Sequence, residues 1–371
     1  MDQANILVVG GGIGGLTSAI ALGTRGHSVT VIERDPQWSV YGVGIIQQGN
    51  VLRAMNQLGL LDAYLAASVG FDFVAVHAPN GAMVAKVPSP KLVEGCPANV
   101  GIGRRALQTL LADRTRASGA DVRLGITASD FADDGSGVTV GFSDGSSARF
   151  DMVIGADGVH SQTRAMLFPE IAGPEFTGQS VWRYNLPRPD GLDALHVYNG
   201  PTGAGLVPIS DTMMYIYLTT PEPGNPRYAA KGRAAAMRAK MSDLPPAIRA
   251  LGDLVTDDEA VVYRPLETLM VRGDWHKGRV VLLGDAVHAA TPHLGQGAGM
   301  AVEDSIVLAE EIARAASPEQ AFAAYRARRF ERCAYIVDRS LEICMGQLGK
   351  GPPIDNAKAT AEMFQVVAQP I

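Results

Sequence analysis

The stretch VVGGGIGGL at Val8–Leu16 constrains the chain more than any other. It carries Gly10-x-Gly12-x-x-Gly15 between a β-branched run, Asn5–Val9, and a helical pattern, Ile13–Gly26, with a second strand pattern at Ser28–Glu33. Together these make a βαβ opening. Gly10 permits a tight turn, Gly12 lets the backbone approach a pyrophosphate, and Gly15 lets helix and strand pack closely. The free N–H groups and partial positive charge of the helix N-terminus favour that anion. Glu33, at the end of the second strand, can accept hydrogen bonds from a ribose. The pattern points to a dinucleotide without choosing between FAD and NAD; a glycine turn that binds nothing is the alternative.

The 371 residues suffice for two domains or one domain with a large insertion. Hydrophobic residues make up 47% and charged residues 19%, the balance of a globular enzyme rather than a disordered chain. Lys+Arg 32 against Asp+Glu 38 gives −6, so no general attraction for nucleic acid is expected. Three scattered cysteines, Cys96, Cys333 and Cys344, form neither a disulfide framework nor a zinc site, and no His/Asp/Glu cluster has metal spacing. A reducing cytoplasm is the expected compartment. Gln3–Thr24 carries no charge, but its glycines divide it into strand and helix. It also lacks the basic start of a secretory signal, since Asp2 precedes it, so no membrane or targeting segment is expected.

Further along, Arg104–Ser118 has helical spacing at Leu107, Leu110 and Leu111. Val122–Ile126 and Val138–Phe142 alternate, Asp144–Gly145 signals a hairpin, and Met152–Gly155 reads as a buried strand running into GADG. From about Glu175 to Thr268 aromatic-rich alternating runs (SVWRYNL, LHVYN, MMYIYLT) predict an antiparallel sheet inserted into the nucleotide domain, with a helical patch near Gly232–Met241. Arg279–Leu283 is again a buried strand, and Met300–Ala315 and Pro318–Met345 are long helices. The division is then 1–174 and 269–345 for the two parts of the nucleotide domain, 175–268 for the inserted sheet, and 346–371 for a weakly patterned tail. That tail is expected to be partly disordered or to wrap the surface.

A second glycine-rich segment, LLGDAVHAATPHLGQGAGMAVED at Leu282–Asp304, places Asp285 after an apolar strand and Pro292, Gly295, Gly297, Ala298 and Gly299 before a helix. An Asp there can be a simple cap. The added backbone N–H groups make another anion-favouring helix end, which suits the far end of a long cofactor. A flavin ring fits, because its N1–C2=O edge becomes negative on reduction.

GGGIGGL…ER, GIGRRALQTLL, GADGVHSQTR and GDAVHAATPHLGQGAGMAVED together, in this order, resemble the single-component FAD-dependent aromatic hydroxylases. That family includes the p-hydroxybenzoate, salicylate, 6-hydroxynicotinate, urate and tetracycline hydroxylases, and the likeness runs from about Ile6 to Arg339. It implies an α/β fold with a FAD-binding Rossmann-like βαβ domain, an inserted antiparallel-sheet substrate domain and long C-terminal helices. Gly10, Gly12, Gly14 and Gly15 would then hold the pyrophosphate. Glu33 and Arg34 would meet the adenosine half of FAD and Arg104 its phosphate region. Asp157 and Gly158 match the Asp-Gly motif associated with FAD and pyridine-nucleotide use. Asp285 would hold the ribityl-pyrophosphate part, and Pro292 with the Gly295–Gly299 amides would lie against the isoalloxazine. Two departures stand out. Gly299 replaces an Asn of many members, and Ile46 stands where the 6-hydroxynicotinate enzymes carry His.

The implied activity is NAD(P)H-dependent hydroxylation of an aromatic or N-heteroaromatic small molecule, with NADH or NADPH reducing FAD and O2 adding to give a C4a-hydroperoxide. A FAD-dependent reductase, dehydrogenase or Baeyer–Villiger oxygenase, or a non-catalytic flavin-binding or NAD-binding protein, is the alternative on the same fold. Candidate substrate contacts are Arg183, Gln47, Tyr215, His288 and Pro292. Trp182, Arg183 and Tyr184 share one strand, so Arg183 faces away from its neighbours. Tyr215 and Tyr217 share a face, where sheet packing is the other reading. His288 and His293, flanking Pro292, serve either as caps or in acid–base work. A small aromatic substrate and a monomer or homodimer are the expected partners.

Overall fold

The structure is a computed structural model describing residues 3–40 and 42–371; Met1, Asp2 and Tyr41 lie outside the described residues, and with them the reading based on Asp2. β1 (Asn5–Val9) is buried at every position after Asn5, as in a strand covered on both faces. α1 (Ile13–Gly23) leads from it to β2 (Ser28–Glu33), which pairs with β1 in parallel. α1 stops short of Gly26, which adopts φ +89° and turns the chain into β2.

The chain then leaves this sheet through β3 (Gly44–Gln48), α2 (Gly49–Gln57), α3 (Leu61–Ala66), β4 (Ser68–Phe71), β5 (Phe73–His77), β6 (Met83–Pro88) and β7 (Asn99–Gly103). β3, β7 and β4 make a small antiparallel sheet. α4 (Arg104–Ala117) and β8 (Asp121–Leu124) bring the chain back beside β2. β9 (Ala128–Asp133), β10 (Val138–Phe142) and β11 (Ser147–Phe150) form a second antiparallel sheet, whose last hairpin turns at Asp144–Gly145. β12 (Met152–Gly155), wholly buried, lies parallel to β1 and precedes α5 (Gln162–Leu167).

β13 (Glu175–Pro187), β14 (Leu195–Tyr198), β15 (Gly203–Pro208) and β16 (Met213–Pro221) come next, then α6 (Arg233–Lys240), α7 (Pro246–Ala250) and β17 (Val262–Thr268). They build a seven-stranded sheet in the order β17-β13-β16-β15-β14-β5-β6. It is antiparallel except where β5 joins β14 in parallel, so the sheet reaches beyond residues 175–268. β18 (His276–Lys277) and β19 (Val280–Leu282) complete the central sheet, β18-β19-β12-β1-β2-β8. α8 (Gly297–Arg314) packs on α1, and the 30-residue α9 (Pro318–Gln347) packs on α8. No helix among the described residues is long and apolar enough to cross a membrane.

One core fills the central sheet and its helices. A second lies under one face of the seven-stranded sheet, where Trp182, Ile216 and Leu218 meet Met237 and Ile248 from α6 and α7. Strand alternation sends Trp182 and Tyr184 into this second core and Arg183 to the opposite face, which looks onto a cavity.

The tail departs from expectation. α10 (Asn356–Ala368) buries Ala359, Met363, Phe364 and Val367, spaced along one helical face, in the main core. Asp355 caps its first turn by accepting from the Lys358 N–H, and Arg53 donates to the carbonyls of Val367, Ala368 and Gln369 at its end. Phe364→Ala is expected to lower unfolding free energy by about 3–5 kcal/mol, the usual range for a buried Phe, as read from urea denaturation. A loss below 1 kcal/mol would mean that the helix is undocked in solution.

Candidate active site

A cavity of about 670 Å³ opens between the β1–α1 turn, β3, the inner face of the seven-stranded sheet, the Gly284–Asp285 turn and the start of α8. At its first end the backbone does the shaping. Gly10 has φ +110°, and a Cβ there would lie 2.4 Å from the Ala156 carbonyl oxygen; one on Gly15 would lie 1.9 Å from that of Gly10. Nothing lies within 4 Å of where a Gly12 Cβ would stand, and no side chain caps α1, so its first N–H groups face open space. Gly14 lines the cavity and packs on Leu283. The Glu33 carboxylate accepts from the amides of Gly11 (2.8 Å) and Asp35 (2.9 Å), and it too lines the cavity with lone pairs to spare.

Arg34 does not join it. Alternation at the end of β2 turns its side chain outward, exposed and away from the cavity. Trp38 and Gln108, which sequence reasoning did not single out, take the vacant flank, both donating to the Gly11 carbonyl. Asp157 is a second correction. Its carboxylate accepts from Ser161 Oγ and from Thr163 N and Oγ1, fixing the start of α5, and only Gly158, at φ +83°, reaches the cavity.

At the second end Asp285 faces the cavity, and no described group donates to its carboxylate. The side chain is exposed to the cavity, and its depth there pushes the carboxyl above the usual range, against the pull of His288 and Arg104. Arg104 lines the cavity as well, with its Nε unpartnered. Burial and the nearby Arg183 bring Arg104 down to about 10, which still leaves it charged at neutral pH. Pro292, Gly295 (φ +66°), Gly297 and Ala298 line the wall, and α8 begins there without a side-chain cap. Gly299 does not: a Cβ there would meet Gln296 at 2.9 Å and Val51 at 3.0 Å, so the position serves packing on α2.

Across from these loops the sheet contributes Arg183, Tyr215, Tyr217 and Arg264. Burial lowers Arg183, with the two tyrosines opposing and Arg264 adding to the shift, and no carboxylate among the described residues pairs with it. Burial raises both Tyr215 and Tyr217, so both remain protonated at neutral pH. His293 lines the cavity; burial brings it down to about 4, despite a 3.2 Å contact with Gln347, and it is neutral at pH 7. Gln347 and α10 residues Asn356, Thr360, Met363 and Phe364 close the far side, a contribution hidden by the weak pattern of the tail.

Two expected contacts lie elsewhere. Gln47 points opposite to Ile46 and Gln48 on β3; it is buried and accepts from the Tyr64 hydroxyl. His288 is wholly buried behind the Asp285 turn, its Nε2 2.6 Å from Asp304 Oδ2. The same oxygen accepts from the Gly284 N–H at 3.1 Å, and Oδ1 accepts from Arg329 Nε at 2.8 Å. The sulfur of Cys333 completes a cluster with metal-ligating chemistry, but the Arg329 guanidinium already supplies the cation there. Burial works against the imidazolium, yet Cys333 and Asp304 more than offset it and hold His288 well above its usual range. Burial likewise opposes the Asp304 carboxylate, which His288 and Arg329 nevertheless hold down to about 2.

The unpartnered Asp285 carboxylate, the orphaned Arg104 Nε, the clear approach over Gly12 and two uncapped helix starts all fit a long dinucleotide with a polar ring. These features define a flavin-type nucleotide-binding protein. Residues 3–340 match the family described as FAD binding domain, and the chain belongs to that family of FAD-dependent aromatic hydroxylases. It is 32% identical over 350 residues to the aurachin C monooxygenase/isomerase of Stigmatella aurantiaca, covering 93% of this chain and 89% of that one. It is 29% identical over 365 residues to the 6-hydroxynicotinate 3-monooxygenase of Pseudomonas fluorescens, covering 91% and 90%. Klebsiella pneumoniae HpxO, solved with FAD and uric acid, superposes with a TM-score of 0.84 at 26% identity, covering 98% of this chain and 92% of that one.

Asp285→Ala is expected to weaken FAD binding by about ten- to a hundredfold, from the roughly 1.5–3 kcal/mol of a charged hydrogen bond. Retention of FAD at parental affinity in equilibrium dialysis would make Asp285 a turn residue only.

Asp304→Asn leaves two buried cations short of a partner and is expected to cost about 3–5 kcal/mol of stability. The pH dependence follows from the shifts. His288 is raised on folding, so its contribution is complete below about pH 6.5 and is lost as pH climbs through its folded value. Asp304 is lowered to about 2, so its contribution is present above its ordinary range and lost as pH falls toward 2. Urea midpoints should therefore decline from pH 6 to 8.5 in the parent and flatten in Asp304→Asn. Parallel declines in both proteins would put the titrating group elsewhere.

Proposed function

We propose that this protein is an NAD(P)H-dependent FAD monooxygenase that hydroxylates an aromatic or N-heteroaromatic small molecule. The observation that carries the reading is one partly open cavity with two chemically distinct walls. Cofactor-holding turns from the nucleotide domain form one wall, and a sheet face with Arg183, unpaired among the described residues, beside Tyr215 and Tyr217 forms the other. Family membership and the 6-hydroxynicotinate and uric acid of two relatives support it.

FAD, when bound and reduced, supplies the activation of O2 and the transfer of one oxygen atom. The chain's residues prepare the substrate for that transfer. Arg183, a charge with no ion-pair partner among the described residues, holds an oxygen anion or polar edge of the ring and fixes which carbon faces the cofactor. Tyr217, held protonated by its burial, donates a hydrogen bond and is not a base. His293, neutral at pH 7, donates from Nε2 to Gln347 and accepts at Nδ1 from Thr291, so it shapes the wall and is not a base. Gln347 and α10 keep bulk water from the reacting centre, which protects an oxygen-activating site from unproductive decay. NADH or NADPH is the electron donor in this reading.

The direct test is to supply aromatic acids and N-heterocycles to the FAD-loaded protein under 18O2. One labelled oxygen in the product, with faster NAD(P)H consumption, is the expected result; flavin reduction without label in any product would point to a reductase or dehydrogenase. Arg183→Met is expected to raise KM by about ten- to a hundredfold, the value of one charge-assisted hydrogen bond. More hydrogen peroxide should form per NAD(P)H consumed. Unchanged KM and coupling would remove Arg183 from the substrate.

A further inference from the structure

The register of the seven-stranded sheet aligns Val76, Val197, Gly205, Tyr217 and Arg183 in one row across β5, β14, β15, β16 and β13. Residues paired across strands share a face, so the row changes from aliphatic to cationic along the cavity wall. Gly205 marks the change: a Cβ there would lie 2.2 Å from the Tyr217 ring, so that ring lies across β15. Beyond it, Val74 pairs with Leu195 beside the Val76–Val197 pair, giving a continuous aliphatic patch of four side chains, all lining the cavity. Leu195 and Val197 stay only partly covered there. α10 adds Met363 and Phe364 to the lining, together with the polar Asn356 and Thr360. The cavity's cations lie on β13, β17 and α4; β5, β14 and α10 contribute no charged residue to its lining.

Leu195 and Val197, partly exposed on a cavity wall backed by the buried Val74 and Val76, are better covered by an apolar ligand than by water. We propose that this end of the cavity is a subsite for a hydrocarbon substituent, so that the substrate is an aromatic ring carrying an unbranched alkyl chain. The ring lies at Tyr217 and Arg183, and the chain runs over Leu195 and Val197 beneath α10. Two strand spacings separate Val197 from Tyr217, about 10 Å, a span that a chain of several carbons covers. The proposal rests on the hydroxylase reading of the cavity and adds what the ring carries.

The test is binding without turnover. FAD-loaded oxidised protein is titrated with 4-n-alkylphenols from methyl to heptyl in the absence of NAD(P)H. Flavin absorbance and equilibrium dialysis report Kd. Kd should fall by up to fourfold per added methylene, the equivalent of about 0.8 kcal/mol for a buried CH2, until the chain outgrows the patch. Val197→Asn and Leu195→Asn should flatten this dependence, with Val197→Thr, close in shape, as the substitute if either loses FAD. Arg183→Met should weaken every member by a similar factor and leave the dependence on chain length intact. Failure of the heptyl compound to bind, a Kd independent of chain length, or an undiminished dependence in the patch variants overturns the proposal. Binding of the series without hydroxylation of any aromatic compound would defeat the monooxygenase reading alone. Hydroxylation of rings with no chain-length dependence would defeat the subsite alone.

Discussion

A carboxylate held away from water governs this structure. Asp304 is wholly buried on α8, and its partners come from three other places: the Gly284 amide, the His288 ring and the Arg329 guanidinium of α9. Removing such charges from water costs several kcal/mol per ion unless geometry and pairing are nearly complete. The cluster therefore tolerates little movement. Gly284 immediately precedes Asp285, and α8 itself starts at Gly297, on the wall of the cavity. One buried ion thus fixes the relation between the turn and the helix that face the cavity.

The restraint extends through Glu303, the next residue on α8. It meets Arg329 at 2.8 Å and Arg332 at 3.1 Å, and accepts from Asn50 on α2. Asn50 in turn bonds Gln296, Gln296 bonds Gln48, and Gln48 donates to the Leu294 carbonyl. A line of satisfied polar contacts therefore runs behind the cavity from α9 to β3. In front of it the same residue types stand unpaired. Asp304 and Arg329 are paired with each other and with neighbouring protein groups, whereas among the described residues Asp285 and Arg183 have no hydrogen-bond or ion-pair partner and face the cavity. The difference separates charges that hold the fold from charges that await a ligand.

Much of this was legible where local geometry decides. The glycines of the β1–α1 turn, the Asp-Gly hairpin at Asp144–Gly145, the helices and the opposed faces of Trp182 and Arg183 follow from short-range sterics and alternation. The misplaced residues share a different property, because their directions are set by partners distant in sequence. His288 turns inward because Asp304 lies there, and Gln47 points away because the β3–β7 register places Gln48, not Gln47, over the cavity. Asp157 could have met a cofactor or capped a helix, and Ser161 and Thr163 decide it. α10 went unrecognised because its apolar positions gain their meaning only from the surfaces it docks on.

The two ends of the cavity are consequently built by different rules. The cofactor end uses tight turns whose residues lie within a few positions of one another and are braced by buried ions. The end proposed for the substrate is assembled from β5 and β14, far apart in sequence and joined by parallel pairing, with α10 from the end of the chain in its lining. Loop-closure entropy makes such contacts depend on the rest of the fold already being in place. Changes in Leu195, Val197 or Met363 can then reshape the substrate end while Asp304 continues to hold the cofactor turns. That separation is how one fold can keep its flavin chemistry and exchange its substrates.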